Sequence, residues 1–180
     1  MLIGASVYPL PGHQRVRSGI EAMADGGRKE DFYINVSADR ILHDEAGVAA
    51  YPVPAMNGGA GQYIQAEVFQ LRNADRQVIG LASRMRGIVP DSAGSPTQAV
   101  SWVLFIPSRG SLVLDQVRVM TNGLIPEMEA VQQGRVVTGD GEFARLKGQY
   151  IEALVVEENY DSGQQERFIL LSTRLRSGAS

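Results

Sequence analysis

The feature that most constrains this chain is a polar–apolar alternation with a period of two, which returns in run after run beyond Asp31. Each run ends in turn residues, and no long stretch with helical periodicity interrupts the series. The pattern predicts strands over Phe32–Leu42, Gly61–Arg72, Gln77–Val89, Thr97–Ile106, Ser111–Thr121, Arg135–Thr138, Gly148–Glu157 and Arg167–Leu175. The connections Asn73-Ala74-Asp75, Pro90–Pro96, Pro107-Ser108-Arg109-Gly110 and Asn159–Gly163 are short and polar. Such links make hairpins rather than crossover helices, so the sheet is expected to be antiparallel. Closure removes the exposed edges of a long sheet. The expected fold is therefore all-β, an antiparallel, closed β-barrel of about eight strands, with a two-sheet sandwich as the alternative architecture.

Residues 1–30 read differently. Pro9, Pro11, Gly12, Gly26 and Gly27 flank a stretch in which Val16, Ile20 and Met23 recur at helical spacing among Arg15, Arg17, Glu21 and Asp25. This predicts a short amphipathic helix on hinges. Too short to stand alone, it must dock on something. The chain divides on this reading into a lid segment, 1–30, and a barrel domain, 31–180. The longest irregular connection is His43–Ala60, and Ile125–Gln133 could form a helical turn or two within another.

Composition narrows the functional classes. Hydrophobic residues are 44% and charged residues 21%, ordinary for a globular domain. A net charge of -3, with Lys and Arg scattered, argues against nucleic acid as a partner. Cysteine is absent, which excludes disulfides, thiolate metal sites and cysteine nucleophiles. No stretch approaches the roughly 18 apolar residues of a membrane helix, and the first residues lack the pattern of a secretory signal. A cytoplasmic protein without a membrane association is expected; a homodimer stays open. His13 and His43 lack ligand spacing, and Asp44 and Glu45 beside His43 read as solvated loop charges. Gly58-Gly59-Ala60-Gly61 leads into a strand rather than a helix, and Gly139-Asp140-Gly141 has no lysine and carries an acidic residue where a phosphate would sit. Neither a metal nor a cofactor is expected.

Candidate site residues come from strand polarity. A polar side chain on an apolar strand face costs about 1–3 kcal/mol unless it is paired, so it should be paired or used. Glu67, Asp115 and Gln116 meet that description; solvent or a subunit contact is the competing account of each. Trp102, the only tryptophan, alternates with Val100 and Leu104, which fits either core packing or a stacking wall for a flat ligand.

One segment is more specific. Val136–Tyr150, VVTGDGEFARLKGQY, resembles the glycine-rich strand and turn V-V-G-G-T-G-x-F-x-x-A-x-G-x-Y of the dirigent and allene oxide cyclase-like barrels. Val136, Val137, Gly139, Gly141, Phe143, Gly148 and Tyr150 match, while Thr138, Asp140 and Leu146 depart. Val78–Gly87 and Gly110–Arg118 are similar to upstream strands of that superfamily, although Leu81 stands where plant dirigents carry arginine. Asp39 in SADRIL lies near the dirigent strand aspartate, offset by Arg40.

Bacterial barrels of this superfamily include polyketide cyclases that close spirotetronate or spirotetramate rings by 4+2 cycloaddition, one with an N-terminal helical lid. The resemblance implies a cofactor-independent cyclase acting on a small apolar polyene held in the lumen. Gln116 and the Trp102 indole would then donate to a dienophile carbonyl, Tyr63 and Met120 would form an apolar wall, and Asp39, Glu67 and Asp115 would orient the substrate. Val16, Ile20 and Met23 would cover the mouth. A dirigent or allene oxide cyclase-like isomerase with a carboxylate acid or base, and a barrel that only binds, are the other readings.

Overall fold

The computed structural model describes residues 20–23, 27–42, 64–90, 94, 96–119, 131–159 and 163–178. Ten strands occur in it: β1 Ile20–Ala22, β2 Arg28–Asn35, β3 Arg40–Leu42, β4 Ile64–Arg72, β5 Val78–Pro90, β6 Pro96–Ile106, β7 Gly110–Val119, β8 Val131–Gly139, β9 Leu146–Asn159 and β10 Gln164–Ser177. Strands β4 to β10 follow one another around the sheet in chain order, each antiparallel to the next. Strand β10 then pairs with β2, and β2 meets β4 at Tyr33↔Arg72, which closes the ring. Eight strands, β2 and β4 to β10, form a closed barrel, with β1 and β3 as short additions at the seam.

Two expectations are corrected at this seam. Phe32–Leu42 is not one strand, because Asn35 turns the chain: its side-chain oxygen accepts the Ser37 and Ala38 N–H groups at 3.1 and 3.0 Å, and its carbonyl accepts that of Asp39. The chain then crosses to the edge of β4 as β3. Ile20–Ala22, expected to be helical, is a strand paired with Arg28–Glu30. The edge of β2 there needs partners for its backbone groups, and a helix this short has little stability to set against such pairing. Val16 and the rest of that segment up to residue 19 lie outside the described residues. A third correction concerns Ile125–Gln133: residues 131–133 open β8, and 125–130 lie outside the described residues.

Alternation places one side of every strand inward. Phe32, Ile34, Phe69, Trp102, Leu104, Leu112, Leu114 and Leu171 are fully buried and fill the interior. One end is sealed by a single 3-10 turn, Gly141–Phe143. The Phe143 ring is fully buried there, with the Arg28 and Arg109 guanidinium carbons 5.1 and 4.9 Å from its centroid. Arg109 in turn binds buried Glu30 and exposed Glu142. The seal depends on Gly141, whose φ of 55° and whose missing Cβ, 2.3 Å from the Arg109 carbonyl if present, both require glycine.

Candidate functional site

Away from that seal the inward face changes character. Register aligns Glu67, Arg84, Trp102 and Leu114 in one row, and Gln65, Arg86, Val100 and Gln116 in the next. A band of polar side chains therefore replaces the apolar core. Glu67, 6% exposed, is its centre. One carboxylate oxygen accepts Arg84 Nε and Nη2 at 3.0 and 2.6 Å and Arg86 Nη2 at 3.2 Å; the other faces Arg40 Nη2 at 3.1 Å. Burial works to raise the Glu67 pKa, but Arg84, Arg86 and Arg40 together outweigh it and hold the carboxyl below the usual range.

Around this centre the other polar groups are tied together. The Trp102 indole N–H donates to Glu152 at 3.0 Å, and Arg84 lies 3.9 Å from the same carboxylate. Arg84 also sits over the rings of Phe69 and Trp102, at 5.5 and 5.1 Å from their centroids. Gln116 donates to Gln132 at 3.3 Å and accepts the Tyr150 hydroxyl at 3.4 Å. That contact exists because residue 134 is glycine: a Cβ there would lie 2.2 Å from Tyr150 Cε1. Arg86 is the most open cation of the group, its side chain 34% exposed against 10% for Arg84. Its Nε is buried without a hydrogen-bond partner among the described residues.

Of the residues expected from the sequence, Glu67, Gln116 and Trp102 come together in this band. Trp102 is fully buried, tilted against Phe69 at 6.2 Å, so it presents no free ring face. Asp39 lies at the seam instead of the lumen: it accepts Arg72 through both oxygens at 2.6–2.9 Å and the Asn35 N–H at 2.7 Å. Asp115 points outward, opposite Ser101 and Arg135, one residue out of phase with inward Gln116. Tyr63, Met120 and Val16 lie outside the described residues, Ile20 is in β1, and Met23 follows it in the β1–β2 connection. Sequence reasoning missed Arg84, Arg86, Arg40, Glu152 and Tyr150. The signal for two of them was legible, since Arg84 and Arg86 share the strand phase of Ala82.

No family model and no curated protein sequence matches the chain. Among solved structures, it superposes on the pterocarpan synthase dirigent protein with a TM-score of 0.51 at 11% identity, over 84% of this chain and 96% of that one. The fold is that of a dirigent-like barrel. Pyocyanin demethylase superposes with a TM-score of 0.43 at 13% identity, over 79% of this chain and 98% of that one, a likeness too distant to bear on function.

This dirigent-like barrel carries a cleft where β5 to β9 run side by side, beside the polar band. Gly87, Ala99 and Ser101 line this cleft of about 810 Å³, which also takes in Arg86 and Gln116 of the polar band, together with outward Asp115 and Arg135. Small side chains on β5 and β6 leave that hollow. Its apolar rim is exposed, Met85 at 46% and Val117 at 66%.

Proposed function

We propose that this barrel is a cofactor-independent cyclase that folds a conjugated polyene in its lumen and closes a ring by intramolecular 4+2 cycloaddition, in the manner of spirotetronate and spirotetramate formation. The observation that carries the reading is the inward band itself: donors are concentrated there while its carboxylates are engaged. Glu67 is held ionised by three guanidinium groups, so it is a poor proton donor at neutral pH and a weakened base. Asp39 is locked on Arg72. A cycloaddition asks for neither. It asks for a fixed conformation, which supplies up to about 7–11 kcal/mol in favourable intramolecular cases. Guanidinium and amide N–H groups aimed at a dienophile carbonyl would stabilise the electron density that moves onto its oxygen, an effect of about 2.7–4 kcal/mol per well-placed donor. Arg84, Arg86 and Gln116 are the candidate donors. A solved barrel of this fold is named a synthase, which supports small-molecule synthesis as the class of activity.

The test is incubation with a linear polyene carrying a tetramate or tetronate head and an activated alkene, followed by chromatography and mass measurement. The expected product is an isomer of unchanged mass, formed at a rate flat between about pH 5.5 and 9. A bell-shaped profile abolished by Glu67→Gln would favour the acid–base isomerase. Unchanged substrate after prolonged incubation would leave a binding barrel.

A further inference from the structure

We propose that the polar end of the lumen receives a monoanionic head group of delocalised charge, a carboxylate or an enolate, with Arg86 as its first contact. The inference rests on the reading of the lumen as a ligand site and adds the charge of the ligand. Three guanidinium groups, Arg40, Arg84 and Arg86, face two carboxylates, Glu67 and Glu152, among the described side chains. Among the described residues one positive charge is unmatched. Enclosing such a charge is costly, and proteins rarely retain one without a partner or a use.

The distribution of bonds shows which cation is in excess. Arg84 is the inner one: two of its nitrogens hold Glu67, and its plane covers two aromatic rings. Arg40 reaches the opposite oxygen of Glu67 and lies 5.6 Å from the Phe69 ring centroid, and its own Nε is likewise buried without an acceptor among the described residues. Arg86 receives only a third share of that carboxylate and the neutral oxygen of Gln65 at 2.8 Å. Like Arg40 it retains a buried Nε–H with no acceptor among the described residues, and what sets it apart is that it is the most open of the three, which lets an incoming group reach it first. Burial and then the neighbouring Arg84 both act to lower its pKa, so the surroundings disfavour the charge it carries. A planar anion would accept from Nε and Nη together, the bidentate geometry to which a guanidinium is suited.

Two probes isolate the charge, since 8-anilinonaphthalene-1-sulfonate is N-phenyl-1-naphthylamine with an added sulfonate. Fluorescence titration of the whole protein should give the sulfonate a Kd at least about tenfold below that of the neutral amine, with the gap narrowing as salt is raised. Arg86→Met should remove most of that preference and leave the neutral probe's Kd unchanged, while Arg86→Lys retains part of it. The Met variant should also melt at the same temperature as the parent or higher, because it relieves like-charge repulsion. A purely structural Arg86 would lower it. Equal affinity for both probes, or a preference surviving Arg86→Met, overturns the proposal. So does a preference abolished by Arg135→Gln, which would place the anion on the outward face of the cleft instead of at the polar band. Charge preference without ring closure would remove the cyclase reading alone, and ring closure without charge preference would remove this one alone.

Discussion

Glu67 is the residue on which the charges of the lumen converge. Glu67→Gln leaves Arg40, Arg84 and Arg86 facing one another, and breaking a buried pair in this way typically costs about 3–5 kcal/mol. Urea unfolding at neutral pH measures it. Because the folded carboxyl titrates below its unfolded value, its contribution is full above about pH 4.3 and is lost as pH falls through the lower folded value. The parent should therefore lose its advantage over Glu67→Gln on that acid limb. Trp102→Ala should cost about 3–5 kcal/mol as well, since its ring is fully buried against Phe69. A much smaller loss with weakened probe binding would instead make it a ligand wall. Glu67 and Gln116 were legible as polar residues on apolar strand faces. Asp115 met the same test but lies one residue out of phase with Gln116, and Asp39, taken from the resemblance alone, is carried to the seam by the turn begun at Asn35, which no alternation reveals.

Among the elements, the glycine-rich strand, turn and strand from Val136 to Tyr150 carried the most information. Its matching positions have mechanical roles: Phe143 seals the barrel, Gly141 makes the turn, and Tyr150 reaches Gln116 from the inner wall. Gly141→Ala forces a left-handed φ on alanine and drives its Cβ into the Arg109 carbonyl, so a loss of about 1–3 kcal/mol is expected in thermal or urea unfolding. Gly134→Ala meets both the Tyr150 ring, at 2.2 Å, and the Asp115 backbone carbonyl, at 2.6 Å. It should displace Tyr150 and detach it from Gln116 at a cost of about 1–3 kcal/mol, visible as a change in tyrosine near-ultraviolet circular dichroism. Strand existence was legible because period two is a strong signal. The helical reading of Ile20–Ala22 was not corrected by anything local, since its partner, Arg28–Glu30, is supplied by the sheet.

At the scale of the molecule the barrel has one weak seam. Eight strands close through a single ladder pair, Tyr33↔Arg72, fastened by the Arg72–Asp39 fork. Arg72→Ala should therefore accelerate amide hydrogen exchange in β2 and β4 while leaving the β6–β7 hairpin protected; uniform acceleration would mean that the seam opens only with the whole fold. Closure could be expected from the need to hide edges, but the position of the seam could not, because it depends on a turn and a fork between residues far apart in the chain. The ring has a further consequence. Each barrel strand pairs with its successor, and the last pairs with the first, Leu175 opposite Arg28. Connectivity around such a circuit has no privileged origin. A circular permutant that links residue 178 to residue 27 and opens between Pro107 and Arg109 would keep every barrel pairing, so cutting the chain there should relocate its ends without changing its shape.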